Sequence, residues 1–312
     1  MAQATQLIDG LGDSHLALSP TEERLDSSRN LDALSSLEVL QLLNAEDRVA
    51  VDAVAAALPA ISKVVEIAAQ RFRAGGTIHY FGAGTSGRLG VLDAAELRPT
   101  FNLEAGRIVA HIAGGHAALI DAIEDAEDSE ASGRLDATDV TSRDVVIGLA
   151  ASGNTPYVGG ALAAGRAIGA TTVLISSNPH ARLARLADAN LVLNTGAEVL
   201  TGSTRLKAAT AEKLALNGFS TALMIAVGRT WSNLMVEVVA TNDKLRDRTV
   251  RILQDAADVD EKRAHQLLAD SDGELKTAIV AAVAGTSIDE SRRLLVSSGG
   301  VVRAALAAVS AR

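Results

Sequence analysis

The sequence predicts an α/β fold in which a parallel, doubly wound sheet is flanked by helices and followed by a small C-terminal helical bundle. Three observations lead there. Between about residues 77 and 194, short apolar runs without polar alternation recur, as in strands covered on both faces. The stretches between them carry helical spacing and are too long for hairpins, as the crossovers of a parallel sheet require. Beyond about Asp247 the strand-like runs cease, and Ala- and Leu-rich helical patterns alternate with breakers at Asp258, Asp272-Gly273, Gly285 and Gly299-Gly300.

Taken in order, residues 1–30 are polar, contain Pro20 and show no sustained periodicity, so they read as a polar arm. Residues 35–73 repeat apolar side chains at helical spacing (Leu37, Leu40, Leu43; Val51, Val54, Leu58; Ile61, Val64, Ile67), which predicts two or three helices divided near Asn44 and Pro59. Residues 77–81 form the first strand. It feeds Gly82, Gly84 and Gly87, where missing side chains allow a tight turn, and Thr85 and Ser86 add hydroxyls. A helix that starts there and stops before Pro99 aims free N–H groups and a partial positive charge at the turn, which suits a phosphate. Strands over 107–112, 144–150, 171–176 and 190–194 then alternate with helices over 117–129, 156–168 and 181–187. A long helix opens near Ser203 and reaches about Val227. The expected division is an arm over 1–30, an α/β domain over 31–246 and a helical subdomain over 247–312.

Ligands of open parallel sheets sit at the carboxyl ends of the strands, where two more turns repeat the chemistry of the first. Ser152-Gly153-Asn154-Thr155-Pro156 offers Thr155 as a cap and Pro156 as the first helical residue. Ser203 and Thr204 open the long helix, with Arg205 and Lys207 close by. Three hydroxyl-bearing helix starts on one sheet edge are expected to converge on one anion. Gly82-x-Gly84-x-x-Gly87 also fits a dinucleotide fingerprint, but the next strand ends in Ala113-Gly114-Gly115 without the acidic residue that holds a ribose. A phosphomonoester is the stronger reading.

Composition narrows the function further. The 312 residues are 48% hydrophobic but only 2% aromatic, so the core is aliphatic, and no apolar run reaches the roughly 18 residues of a membrane span. A net charge of −9 without a basic stripe argues against a nucleic-acid surface. The absence of cysteine excludes disulfides and thiolate metal sites. No charged-then-apolar leader is visible, which makes a cytoplasmic location the expectation.

Carboxylates, histidines and hydroxyls remain for chemistry. His79 and His111 lie within apolar strands and read as core residues, and no spacing suggests a metal site. Glu96 follows the apolar stretch 89–95; partly desolvated there, it would have a raised pKa and serve as a general acid. On local grounds alone a solvent-facing glutamate is the plainer reading. Glu127 belongs to an acidic run with Asp121, Glu124, Asp125, Asp128 and Glu130, which locally reads as a solvated helix face.

The runs YFGAGTSGRLGVLDAAE, IAGGHAALIDAIEDAEDS, AASGNTPYV, GAEVLTGSTRLKAATAEK and NLMVEVVATNDKL together resemble the N-acetylmuramic acid 6-phosphate etherases of the sugar isomerase (SIS) superfamily. The resemblance extends from about Leu31 to the C-terminus. It implies a SIS-type domain and a cofactor-free, metal-free lyase that converts N-acetylmuramic acid 6-phosphate to N-acetylglucosamine 6-phosphate and D-lactate in cell-wall amino-sugar recycling. It further implies a homodimer, a small-molecule sugar phosphate as partner, and a ubiquitin-associated-like C-terminal subdomain. The family's glutamate in LDAxE falls on Glu96, the implied acid for the leaving oxygen, and its second glutamate falls on Glu127. Gly84, Thr85, Ser86, Ser152, Gly153, Asn154, Thr155, Ser203, Thr204 and Lys207 fall in the implied sugar-phosphate site. Many members have Arg in place of Asn154, so the cation near the phosphate is expected either to be missing here or to be replaced by Arg205 or Lys207, and many have Pro in place of Arg98. The rival expectation is a non-catalytic sugar-phosphate sensor resembling the glucokinase regulatory protein.

Overall fold

A computed structural model describes residues 19–240 and 243–310, so most of the expected arm, 1–18, lies outside the described residues. Five strands form one parallel sheet in the order β2-β1-β3-β4-β5. They are β1 (Ile78–Gly82), β2 (Ile108–Ile112), β3 (Val145–Leu149), β4 (Thr171–Ser176) and β5 (Ala189–Val192). From β1 the chain steps outward to β2, returns to the other side of β1 for β3, and continues away, so β1 and β3 flank the switch point. That topology opens a crevice at their carboxyl ends.

Alternating strand residues serve two cores. Ile78, Tyr80, Val145, Ile147, Val173 and Ile175 pack against helices α1 (Ser36–Arg73), α2 (Gly84–Phe101) and α5 (Lys207–Ala226). Phe81, Val146 and Leu174 pack on the opposite face with Tyr157, Val158 and Leu162 of α4 (Pro156–Ile168), against which α3 (Glu130–Asp136) lies. The sheet is covered on both faces, as its unbroken apolar strands require.

Several elements differ from expectation for identifiable reasons. Residues 36–73 are one helix of 38 residues that begins at a Ser35–Glu38 capping box. Asn44 does not divide it, and Pro59 is accommodated because Ala55, whose carbonyl loses its partner, is exposed to water. Pro99 is likewise tolerated: α2 runs on to Phe101 and stops at Asn102, which is left-handed at φ 48. No helix spans 117–129. That segment holds 3-10 turns at Gly115–Leu119 and Ala126–Asp128, because Gly114, Gly115 and Asp125 all take positive φ and the acidic run has no apolar face to bury. Residues 182–186 are also a 3-10 turn, and α5 starts at Lys207, after Ser203 and Thr204.

Beyond the sheet, α6 (Asp243–Ala257), α7 (Glu261–Asp270), α8 (Leu275–Ala284), α9 (Ile288–Ser297) and α10 (Val302–Ser310) enclose their own core around Leu253, Ala264, Ile279, Leu294 and Val302. Val236, from the strand-free stretch before α6, is buried in that core. Among the described residues no single helix is long and apolar enough to cross a membrane.

Candidate active site

The glycine-rich turn is as tight as its composition implies. A Cβ on Gly82 would lie 2.6 Å from the backbone nitrogen of Gly87, and one on Gly87 would lie 2.6 Å from Ile112, so strand and helix meet with no room for side chains. Gly84 takes φ +51 with open space above it. The cap position, Ala83, supplies no side-chain acceptor, which leaves the first N–H groups of α2 free for an anion.

At the neighbouring edge of β3, Gly153 takes φ +67, and a Cβ there would meet Ala181 at 2.2 Å. The Ser152 hydroxyl accepts the Asn154 N–H at 3.2 Å, and the Asn154 side-chain oxygen accepts the Arg182 N–H at 3.0 Å, so Asn154 braces the loop. Thr155 precedes Pro156 as expected, yet its hydroxyl makes no capping bond and is left for a ligand.

The third turn departs from the pattern. The Glu198 carboxylate accepts the N–H groups of Lys207 at 3.2 Å and Ala208 at 2.9 Å, so α5 already carries an anion at its N-terminus. Ser203 and Thr204 lie in the preceding turns, and two free helix N-termini remain instead of three.

Between these turns is a cleft of about 410 Å³. Of the residues singled out in the sequence, Gly84, Thr85, Ser86, Glu127, Ser152, Asn154, Thr155 and Thr204 line it. Gly153 underlies its wall, Ser203 falls between the lining residues Gly202 and Thr204 without lining the cleft itself, and Lys207 is buried in an ion pair with Glu46 at 2.6 Å. The expectation that Lys207 or Arg205 faces the anion finds no support in this arrangement, because neither lines the cleft. Among the described residues the lining contains no Lys or Arg, while Glu22 and Asp128 join Glu127 as carboxylates. What the cleft offers an anion, among the described residues, is hydroxyls and helix N–H groups. Arg88 holds the Glu127 segment in place by donating to the carbonyls of Leu119 at 3.2 Å and Asp121 at 3.0 Å.

Glu96 stands apart. It is exposed, so it is not the desolvated acid anticipated from its apolar flank, and it lines a different hollow of about 590 Å³ beside Leu92, Lys213 and Asn217. Because α2 is unbroken, Glu96 lies about 15 Å along the axis from Ser86. Gly90 does not break the helix; it lets α2 pack closely on Leu149 and Tyr80.

Four buried acids, Asp93, Asp144, Glu198 and Glu212, escaped the sequence reading, and burial raises two of them markedly. Asp93 accepts hydroxyl bonds from Tyr80 at 3.0 Å and Ser220 at 2.9 Å, and burial pushes its carboxyl up to about 6 against the pull of those bonds. Glu212 accepts the Ser86 hydroxyl at 2.8 Å, and burial pushes it up to about 7. Glu212 had a sequence signal: it shares the helical stripe of Ala208, Ala211, Ala215 and Phe219, where an acid is out of place.

The chain is similar to several known proteins. The family model for the glucokinase regulatory protein N-terminal SIS domain matches residues 60–166. N-acetylmuramic acid 6-phosphate etherase of Thermobifida fusca is 53% identical over 262 residues, covering 84% of this chain and 86% of that protein. The enzyme of the same name from Klebsiella aerogenes is 46% identical over 288 residues, covering 92% of this chain and 96% of its own length. Among solved structures, a putative phosphosugar isomerase of Bacteroides fragilis aligns at a TM-score of 0.45 and 18% identity, over 61% of this chain and 91% of that one. With relatives this similar over nearly their whole length, the chain belongs to the N-acetylmuramic acid 6-phosphate etherase family.

Proposed function

We propose that this chain is a carbon–oxygen lyase that splits the D-lactyl ether of N-acetylmuramic acid 6-phosphate, giving N-acetylglucosamine 6-phosphate and D-lactate in cell-wall amino-sugar recycling. The observation that carries the site assignment is the cleft in which the free N-termini of α2 and α4 meet the hydroxyls of Thr85, Ser86, Ser152 and Thr155 beside Glu127. A sugar phosphate fits that chemistry, with the phosphate on the N–H groups and the sugar toward the carboxylate. With the sugar ring open, the aldehyde acidifies the C2 proton. A carboxylate, assigned to Glu127, removes it; a carboxylic acid, assigned to Glu96, protonates the departing C3 oxygen; water then adds to the unsaturated aldehyde.

The unbroken α2 shapes the rest of the proposal. Glu96 is about 15 Å from its own phosphate turn, whereas the ether oxygen of a hexose phosphate is much nearer its phosphate. A symmetric homodimer in which Glu96 serves the cleft of the neighbouring subunit reconciles the two. The enzyme is placed in the cytoplasm, with residues 31–246 as the catalytic domain and 247–312 as a packing or assembly subdomain. The sensor reading is disfavoured by relatives named as etherases at 46–53% identity.

Release of D-lactate from N-acetylmuramic acid 6-phosphate tests the function. Glu96→Gln should abolish that release while solvent exchange of the C2 proton stays measurable, because a different carboxylate removes that proton. Absence of lactate from the wild-type chain would overturn the activity; loss of exchange together with release would overturn the separate roles.

A further inference from the structure

Glu212 is 4% exposed on the inner face of α5. Its Oε2 accepts the Ser86 hydroxyl, whereas its Oε1, also buried, has no hydrogen-bond partner. No counter-charge bonds to it among the described residues. The acids that neighbouring elements bring to this part of the core are already engaged: Asp93 of α2 with Tyr80 and Ser220, Glu46 of α1 with Lys207, and Glu198 with the start of α5. Asp47 of α1 and Lys213 of α5 are exposed. A buried carboxylate with an unpartnered oxygen and no cation is costly to ionise, which agrees with the upward push that burial gives this group.

Ser86 has one proton. When Glu212 is ionised, that proton is directed at Oε2, and Ser86 turns only lone pairs toward the cleft, which repel an anion. When Glu212 holds a proton, its own O–H donates to the Ser86 oxygen, and the Ser86 proton turns into the cleft. We propose that Glu212 is a positioning residue that works as a neutral acid: it donates to Ser86, makes Ser86 a donor to the phosphate of the bound sugar, and takes up a proton from solvent as the ligand binds. This rests on the cleft being the sugar-phosphate site.

Calorimetric titration of the full chain with N-acetylglucosamine 6-phosphate at pH 8, in buffers of different ionisation enthalpy, counts the protons. The ligand phosphate has its second pKa near 6 and is already a dianion there, so uptake belongs to the protein. The wild type should take up close to one proton per site, and its Kd should weaken by up to about tenfold per pH unit above pH 7. Glu212→Gln, which presents a permanent N–H donor to Ser86, should bind with a Kd that hardly changes from pH 7 to 9 and without that uptake. Wild-type binding without proton uptake, or an unchanged pH slope in the Gln variant, would overturn the proposal. If the Gln variant does not fold, infrared difference spectra of the wild type with and without ligand decide. A protonated carboxyl band that appears on binding and shifts with 13C-glutamate supports the proposal, and its absence refutes it. Wild-type protein that does not bind the sugar phosphate at any pH would instead refute the assignment of the cleft, a distinct failure.

Discussion

Asp93 is a carboxyl group whose neighbours keep it in place but do not pay fully for its charge. Burial lifts it from 3.8 to about 6, so the folded state favours the protonated form. Its contribution to stability is complete below the unfolded value near 4 and is lost as pH rises through about 6; at pH 8 the loss is on the order of 3 kcal/mol. Buried His79 and half-buried His111 act with the opposite sign: burial lowers both, so below about 6.5 the unfolded chain takes up protons that the folded one resists, and stability falls. Asp93→Asn should therefore flatten the decline in the urea midpoint between pH 5 and pH 8 relative to the wild type, with the histidine contribution common to both. An identical slope in the two proteins would show that Asp93 is not the group responsible. Neither its hydroxyl partners nor its burial was legible in the sequence. Ser220 is 127 positions away, and only folding α2 against α5 brings the two together.

At the scale of elements, local pattern found the runs that must be buried but misjudged continuity in α1, expected as two or three helices, and failed where a segment has no apolar face to bury. The strands and α4 follow their apolar runs closely, and Pro156 begins α4 as its fixed φ requires. The segment 117–129 misled because its alanines and glutamates have helical propensity but nothing to pack on; Ile120 remains 83% exposed. The convergence of hydroxyl turns on one edge was legible because parallel topology dictates it. The Glu198 cap on α5 was not, since it joins residues 9 and 10 positions apart through a loop whose path no periodicity encodes. Thr155 allows a clean test of the helix-start argument. Its hydroxyl caps nothing, so Thr155→Val should leave the melting temperature unchanged while raising KM roughly tenfold or more, the loss expected for a hydrogen bond to a charged group. An unchanged KM with a collapsed kcat would place Thr155 outside phosphate binding.

For the whole molecule the decisive dimension is the length of α2, which carries the phosphate turn at one end and Glu96 near the other. Mixing Glu96→Gln chains with chains disabled at the phosphate turn should restore lactate release if subunits share sites, because one of the two sites in each hybrid dimer is then intact. No recovery, with subunit exchange verified, would contradict the shared site. The same rod has a consequence for inheritance. In a dimer with shared sites, a single allele that damages both ends of α2 would leave no working site in a hybrid with the normal product, since each site would draw one faulty half from it. Co-expressed in equal amounts, such an allele would be dominant, and only the purely normal dimers, about a quarter of the total, would remain active. Two alleles each damaging one end would instead complement each other, so a helix that looks like a passive strut would decide which mutations in the gene are recessive.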